Sequence, residues 1–231
     1  MKSNPHYTEI AFVLDRSGSM NHCQQAAIDG FNQFLVDQQN TEGLAKLTLV
    51  LFDDDYLVPI SSVPVQEVVP LNDETYQPRG CTALLDAIGQ TIDDLGNRLS
   101  ALPEKDRPGQ VIVAILTDGL ENASQRFNWK EIAGKIKHQT DVYKWIFLFL
   151  GANQDAIATA ASLSIAANNA ANYVADAAGS KASHAAFSRK ARALRRASMN
   201  IASVSDQHDA AAPMTDLVTE EDQKGREPSN E

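Results

Sequence analysis

Four segments of this chain read as strands, and they limit the fold more than anything else in it: "IAFVLD" (10–15), "KLTLVLFD" (46–53), "QVIVAILTD" (110–118) and "VYKWIFLFLG" (142–151). Three of them are near-continuous apolar runs. A strand with one wet face alternates polar and apolar residues, so an uninterrupted run marks a parallel strand buried on both faces. The intervals between them carry helical periodicity. Ala27, Ile28, Phe31, Phe34 and Leu35 share a face over 20–39, and Leu84, Leu85, Ile88, Ile92, Leu95 and Leu99 share one over 83–99. A third helix is expected over 128–139, with Trp129, Ile132, Ala133 and Ile136 inward. This alternation predicts an α/β fold: a doubly wound, mostly parallel sheet whose right-handed crossovers place helices on both faces.

The segment "YLVPISSVPVQEVVPL" (56–71) contains three prolines and fits an edge strand, because proline cannot donate to a central ladder. Beyond Gly151 the composition shifts toward alanine. A short helix is expected near 155–163, an extended piece at 172–175, and a last helix from about 180 to 201. That helix puts Phe187, Ala191, Leu194 and Ile201 on one stripe, with Lys181, Arg189, Arg192, Arg195 and Arg196 largely opposite. From Ser205 onward eight acids stand against two bases with few apolar residues. Such a segment buries too little to offset the entropy of ordering, so the chain divides into a folded domain over 1–204 and an acidic, disordered tail over 205–231. The tail is expected to fold back loosely on the basic helix.

At 231 residues and 43% apolar content the chain can bury a real core. A formal net charge of −10 argues against general affinity for nucleic acid or an anionic membrane. Cys23 and Cys81 are too few for a disulfide framework or a structural zinc site, and two free thiols are expected. The opening "MKSNPHYTEI" has no apolar core of a signal peptide and no window suits a membrane span, so a soluble, cytoplasmic protein is the expectation.

In open α/β sheets functional groups gather at the carboxyl ends of the strands. Asp15 ends the first strand and Asp118 ends the one at 110–118, so both carboxylates arrive on the same edge. In "AFVLDRSGSM" the hydroxyls of Ser17 and Ser19 follow Asp15 at every second position, on a turn that Gly18 permits. Hydroxyl oxygens are neutral hard ligands suited to Mg²⁺, which takes oxygen donors at roughly 2.0–2.1 Å.

"DRSGS" resembles the D-x-S-x-S signature of the metal-ion-dependent adhesion site of von Willebrand factor A domains. That family adds a threonine from a loop before a helix and an aspartate from a later strand end; here "PRGCTALLDAIG" offers Thr82 and "ILTDG" offers Asp118. The resemblance covers about residues 8 to 200 and is nearest to bacterial and phage single-domain members, with "LVLFDDDY", "TDGLENAS" and "FLGANQDA" as further echoes. Cys81 departs from the small residue that commonly precedes the threonine. The resemblance implies a Rossmann-like sheet and a Mg²⁺ or Mn²⁺ site in which Ser17, Ser19 and Thr82 coordinate through hydroxyls. Asp15 and Asp118 then act through water or as outer acceptors. It further implies a protein partner that supplies a Glu or Asp carboxylate, an AAA+ ATPase being one kind of partner found beside related domains.

Other features have plainer readings. Asp53, Asp54 and Asp55 fit a solvated turn better than a second metal cluster. His22 and Cys23 fit a surface histidine and a packed thiol, since neither suits a hard metal. Arg16 and Arg79 are candidates for a rim that steers an acidic partner. An enzyme is not expected: there is no phosphate-binding glycine loop, no nucleophile elbow and no histidine placed as a base. A metal-dependent phosphoester hydrolase on the same sheet is the alternative, although Ser17 stands where such an enzyme wants an acid.

Overall fold

Strand β1 (Asn4–Asp15) lies near the middle of a six-stranded sheet, and every residue from Tyr7 to Asp15 is buried. The structure, a computed structural model, describes residues 3–152 and 155–226. The other strands are β2 (Leu44–Phe52), β3 (Tyr56–Pro64), β4 (Pro108–Thr117), β5 (Ile146–Ala152) and β6 (Ala170–Tyr173), in the spatial order β3-β2-β1-β4-β5-β6. All neighbours are parallel except β2 and β3. The continuous apolar runs are thus parallel strands covered on both faces, as expected. The proline-bearing segment is the antiparallel edge, with two register shifts against β2. The strand expected from 142 begins only at Ile146, because the preceding helix continues to Tyr143 and Lys144 closes it in the left-handed conformation (φ 58°).

The helices are α1 (Gln24–Gln39), α2 (Leu84–Ala101), α3 (Trp129–Tyr143), α4 (Ala156–Ser162), α5 (Ala177–Ser198), α6 (Val204–Ala211) and α7 (Met214–Arg226). One face of the sheet packs Ile10, Phe12 and Leu14 against α1, α5 and α7; the other packs Ala11 and Val13 against α2, α3 and α4. The alternation of β1 side chains therefore feeds two separate cores. Phe12 meets Phe31, Phe34 and Phe187 edge to face at centroid distances of 5.5, 4.9 and 5.8 Å. Close approach of α1 and α5 depends on Gly30, where an added Cβ would stand 2.5 Å from the His184 ring. His184 is fully buried, its Nδ1 2.8 Å from the Ser180 carbonyl, and burial pulls its pKa down to about 4.

The expected disordered tail is corrected for residues 205–226: they lie in α6 and α7, docked on α5, while 227–231 lie outside the described residues. Arg189 pairs with Asp209, Glu220 and Glu221 at 2.7–2.8 Å, Arg192 with Asp209 at 3.2 Å, and Arg196 with Asp206 at 2.9 Å. Lys190 Nζ donates to the Ala210 and Ala212 carbonyls at the end of α6. Beneath these pairs Met214, Leu217 and Val218 enter the core. The segment orders because it covers an existing basic and apolar helix face, a partner that its own composition does not reveal. Arg195, expected on the outer face of its helix, is also buried. It donates to the Gln38, Thr41, Glu42 and Gly43 carbonyls where α1 ends, the end of a helix where a cation is favoured.

This docking has a measurable consequence. Leu217→Ala removes a side chain with no solvent exposure and is expected to lower unfolding free energy by about 2–5 kcal/mol in urea titrations. A surface tail would give no change.

Candidate metal centre

β1 and β4 are neighbours, but the chain leaves them in opposite directions. α1 carries it to β2 across one face, and α3 carries it to β5 across the other. Their carboxyl ends flank the switch point of the sheet, where the loops diverge and leave a crevice. Asp15 and Asp118 come from these two ends.

Asp15 is fully buried. Its Oδ1 accepts the Ser17 amide at 2.6 Å and its Oδ2 accepts the Thr117 hydroxyl at 2.5 Å, while the Asp15 carbonyl accepts the buried Tyr76 hydroxyl at 2.6 Å. The Ser17 and Ser19 hydroxyl oxygens are 3.0 Å apart, and Ser19 Oγ donates to Asp118 Oδ1 at 2.5 Å. Asp118 Oδ2 is buried with no hydrogen-bond partner, and His22 Nδ1 is 3.9 Å from it. Thr82 is buried and held to the loop after β4 from both sides: its amide donates to Asn122 Oδ1 at 2.9 Å, and its carbonyl accepts the Asn122 amide at 3.1 Å. Its Oγ1 lies over Gly119, where a Cβ would come within 2.5 Å. Four of the five residues singled out in the sequence therefore form one hydrogen-bonded chain, and the fifth packs against the residue that follows Asp118.

Three loops make this site, and each is fastened to the next. Gly18 N–H donates to the Gly80 carbonyl at 3.1 Å and Arg79 N–H to the Arg16 carbonyl at 2.8 Å. Gly80 needs its left-handed backbone (φ 66°), and a side chain there would run into Asp54. Asp53 is not in a solvated turn as expected. It is 1% exposed and pairs with both Arg16 and Arg79 at 2.9 Å. Arg16, expected at the rim, is buried in that pair. Glu121 accepts the Leu85 amide at the start of α2, and Asp86 accepts the amides of Gln125, Arg126 and Phe127. The sequence reading missed Glu121, Asn122 and Asp86 in these roles; only the quoted "TDGLENAS" echo pointed at that loop.

The electrostatics of the crevice are those of a place short of positive charge. Burial pushes the Asp15 carboxyl up to about 6 despite its hydrogen bonds, with Asp118 adding to the shift, and burial also raises Asp118. The Cys23 thiol is pushed up to about 12 by burial and then by Asp118 and Asp15. Cys23 is buried, Cys81 is exposed, and both are free thiols, as expected. An oxygen-rich donor set around an orphaned carboxylate oxygen fits a hard divalent cation. A cavity of about 580 Å³ lies elsewhere, between α2, α3 and the start of β4, lined among others by Leu99, Arg107, Tyr143 and Trp145. Among the described residues no helix is long and apolar enough to cross a membrane.

No protein-family model matches the chain, and neither does any curated protein. Solved structures do. The pilus adhesin SpaC of Lactobacillus rhamnosus GG superposes with a TM-score of 0.59 at 13% identity, over 82% of this chain and 31% of its own. The manganese-loaded TRAP protein of Plasmodium vivax gives 0.55 at 16%, over 87% and 75%. A von Willebrand factor type A protein of Catenulispora acidiphila gives 0.50 at 14%, over 83% and 42%. The chain thus spans less than half of two of these three. At such identities the likeness shows the fold, and the fold is that of a von Willebrand factor A domain.

The raised Asp15 pKa sets a pH dependence. A carboxyl whose folded pKa (about 6) exceeds its unfolded value (3.8) stabilises fully below 3.8 and loses that contribution as pH rises through about 6. In chelator, Asp15→Asn is therefore expected to be more stable than the parent by about 1–3 kcal/mol near neutral pH, the difference fading toward pH 4. Urea unfolding across this range measures it. A penalty at neutral pH would show that the carboxylate is already compensated within the chain.

Proposed function

We propose that this chain is a protein-recognition module that holds Mg²⁺ or Mn²⁺ at the switch point and uses it to bind a Glu or Asp carboxylate of a protein partner. The observation that carries this reading is the buried Asp118 Oδ2 without a hydrogen-bond partner, at the end of the hydroxyl chain from Ser17 through Ser19. Ser17, Ser19 and Thr82 would hold the ion through their hydroxyls, with Asp15 and Asp118 behind them. A bound ion with mostly neutral direct ligands keeps its positive charge and an exchangeable position for an outside carboxylate.

The chain's own residues do the positioning. Asp15 fixes the Ser17 amide and so the turn that presents both serines, Asn122 clamps the backbone of Thr82, and Gly119 leaves room for its hydroxyl. Arg16 and Arg79 are tied to Asp53, which keeps their charge from filling the crevice. Two structural neighbours lend support, one a pilus adhesin and one a manganese-loaded protein. An AAA+ ATPase is one class of partner consistent with the sequence resemblance. The hydrolase alternative is weaker: the imidazole at the site belongs to His22, whose Nδ1 is engaged by the Ser19 carbonyl at 2.6 Å, and no acid stands at position 17.

Mg²⁺ or Mn²⁺ at a hundredfold excess over Kd is expected to add about 3 kcal/mol of stability, roughly 6–10 °C in melting temperature for a chain of this size. Replacing Ser17 and Ser19 together by alanine is expected to abolish that shift with the fold retained. An unchanged shift would place the ion elsewhere. Turnover of a generic phosphoester with either ion, lost in Asp15→Ala, would replace the binding reading with the hydrolase.

A further inference from the structure

The crevice carries a second set of donors that the oxygen site does not use. His22 and Cys23 end the 3-10 turn Gly18–Cys23 that follows the serines. A ring nitrogen of His22, the Cys23 sulfur and a carboxylate oxygen of Asp118 lie within 4.8 Å of one another, and among the described residues this is the one group of three His, Cys, Asp or Glu side chains that close. Asp118 is 3% exposed and its Oδ2 has no hydrogen-bond partner. The Cys23 sulfur is engaged only weakly, 3.5 Å from the Met20 carbonyl and 4.0 Å from the Met20 sulfur. Both of these groups are buried, and the ring that completes the trio is 45% exposed.

We infer that His22, Cys23 and Asp118 form a binding site for a borderline divalent cation of the Zn²⁺ class, beside the hard-ion site and sharing Asp118 with it. Nitrogen, thiolate and carboxylate together are a donor set that Mg²⁺ disfavours and Zn²⁺ prefers. In a tetrahedron with bonds of about 2.0–2.3 Å, neighbouring donors stand roughly 3.3–3.6 Å apart. The trio therefore closes by up to about an ångström on binding, the exposed His22 ring by rotation and the buried Cys23 and Asp118 by small side-chain shifts. Ligation through Nε2 keeps the Nδ1 contact with the Ser19 carbonyl, which fixes the tautomer as an outer bond does at many zinc histidines. Ligation through Nδ1 exchanges that contact for the metal. Three protein ligands leave the fourth position to water. Because Asp118 belongs to both sets, occupancy of the two sites is coupled, and Zn²⁺ competes with Mg²⁺ wherever both need the same carboxylate oxygen; this coupling rests on the function proposed above, whereas the site itself does not.

Co²⁺, a spectroscopic substitute for Zn²⁺, tests the site on the full chain. Co²⁺ is expected to produce a thiolate-to-metal charge-transfer absorption that Zn²⁺ bleaches. The band is expected to persist in Cys81→Ser and in the Ser17→Ala, Ser19→Ala double variant, and to vanish in Cys23→Ala. Zn²⁺ affinity, read against a chelating dye, is expected to fall about tenfold or more in His22→Gln, a substitution at a half-exposed position that leaves the core alone. No band in the parent chain, a band that survives Cys23→Ala, or unchanged Zn²⁺ affinity in His22→Gln would each overturn the inference. A cobalt band with no Mg²⁺ effect on melting would uphold it and remove the hard-ion reading instead.

Discussion

Two carboxylates buried at the ends of adjacent parallel strands, with no arginine or lysine paired to either among the described residues, are the constraint around which this structure is arranged. Burying an ionised carboxylate is expensive unless something compensates. Asp15 receives an amide and a hydroxyl, and Asp118 one hydroxyl. The nearest cations in sequence could have neutralised them. Arg16 follows Asp15 directly, yet it and Arg79 both turn to Asp53 at 2.9 Å. Asp53 thus takes up both guanidinium charges. The loop fastenings from Gly18 to Gly80 and from Thr82 to Asn122 then hold three separate chain segments against the repulsion that remains.

The carboxyl-terminal helices solve the opposite problem. α5 presents a row of cations, and α6 and α7 bring Asp206, Asp209, Glu220 and Glu221 to them. Ion pairs that lose water gain little net energy, so the stabilisation lies mainly in Met214, Leu217 and Val218, which extend the core on that face. The pairs fix where the helices sit. Lys190, bonded to the Ala210 and Ala212 carbonyls at the end of α6, and Arg195, bonded to the Gln38 carbonyl of α1 and to the Thr41, Glu42 and Gly43 carbonyls of the loop after it, apply one device twice: a buried cation from α5 donates to carbonyls at and just beyond the end of a helix.

How much of this is legible in the sequence follows from the range of each signal. The parallel strands announce themselves through uninterrupted apolar runs, and α1, α2 and α3 through their 3.6-residue period, because burial on known faces acts locally on composition. The centre is legible for another reason: Asp15, Ser17 and Ser19 sit within one turn, and the ends of two strands must share an edge. What escapes is whatever depends on a distant partner. A charge-rich segment such as 205–226 reads as disordered when weighed alone, yet it folds against a helix that carries the complementary charge. Asp53 reads as solvated until Arg16 and Arg79 are brought to it. Glu121 and Asn122 in the loop after β4, and Asp86 in the first turn of α2, bond backbone amides of a separate segment, and nothing in their local sequence distinguishes such residues from those that face water.

Asp15 on β1 and His184 on α5, both buried, pull the molecule in opposite directions as acid is added. His184, held neutral with its pKa near 4 by burial, loses stability for the fold as pH falls below its unfolded value of 6.5, because the unfolded chain takes up the proton first. Asp15, raised to about 6, does the reverse, since the folded chain takes up its proton first. Between about 4 and 6 these contributions offset each other in the cation-free chain. An ion beside Asp15 favours its charged form and removes the carboxyl's half of the balance, leaving the histidine uncompensated. With the proposed cation in place, binding and acid sensitivity would be coupled through Asp15 and through Asp118, whose carboxyl burial also raises, rather than through the core that Phe12 builds between the aspartate's strand and the histidine's helix.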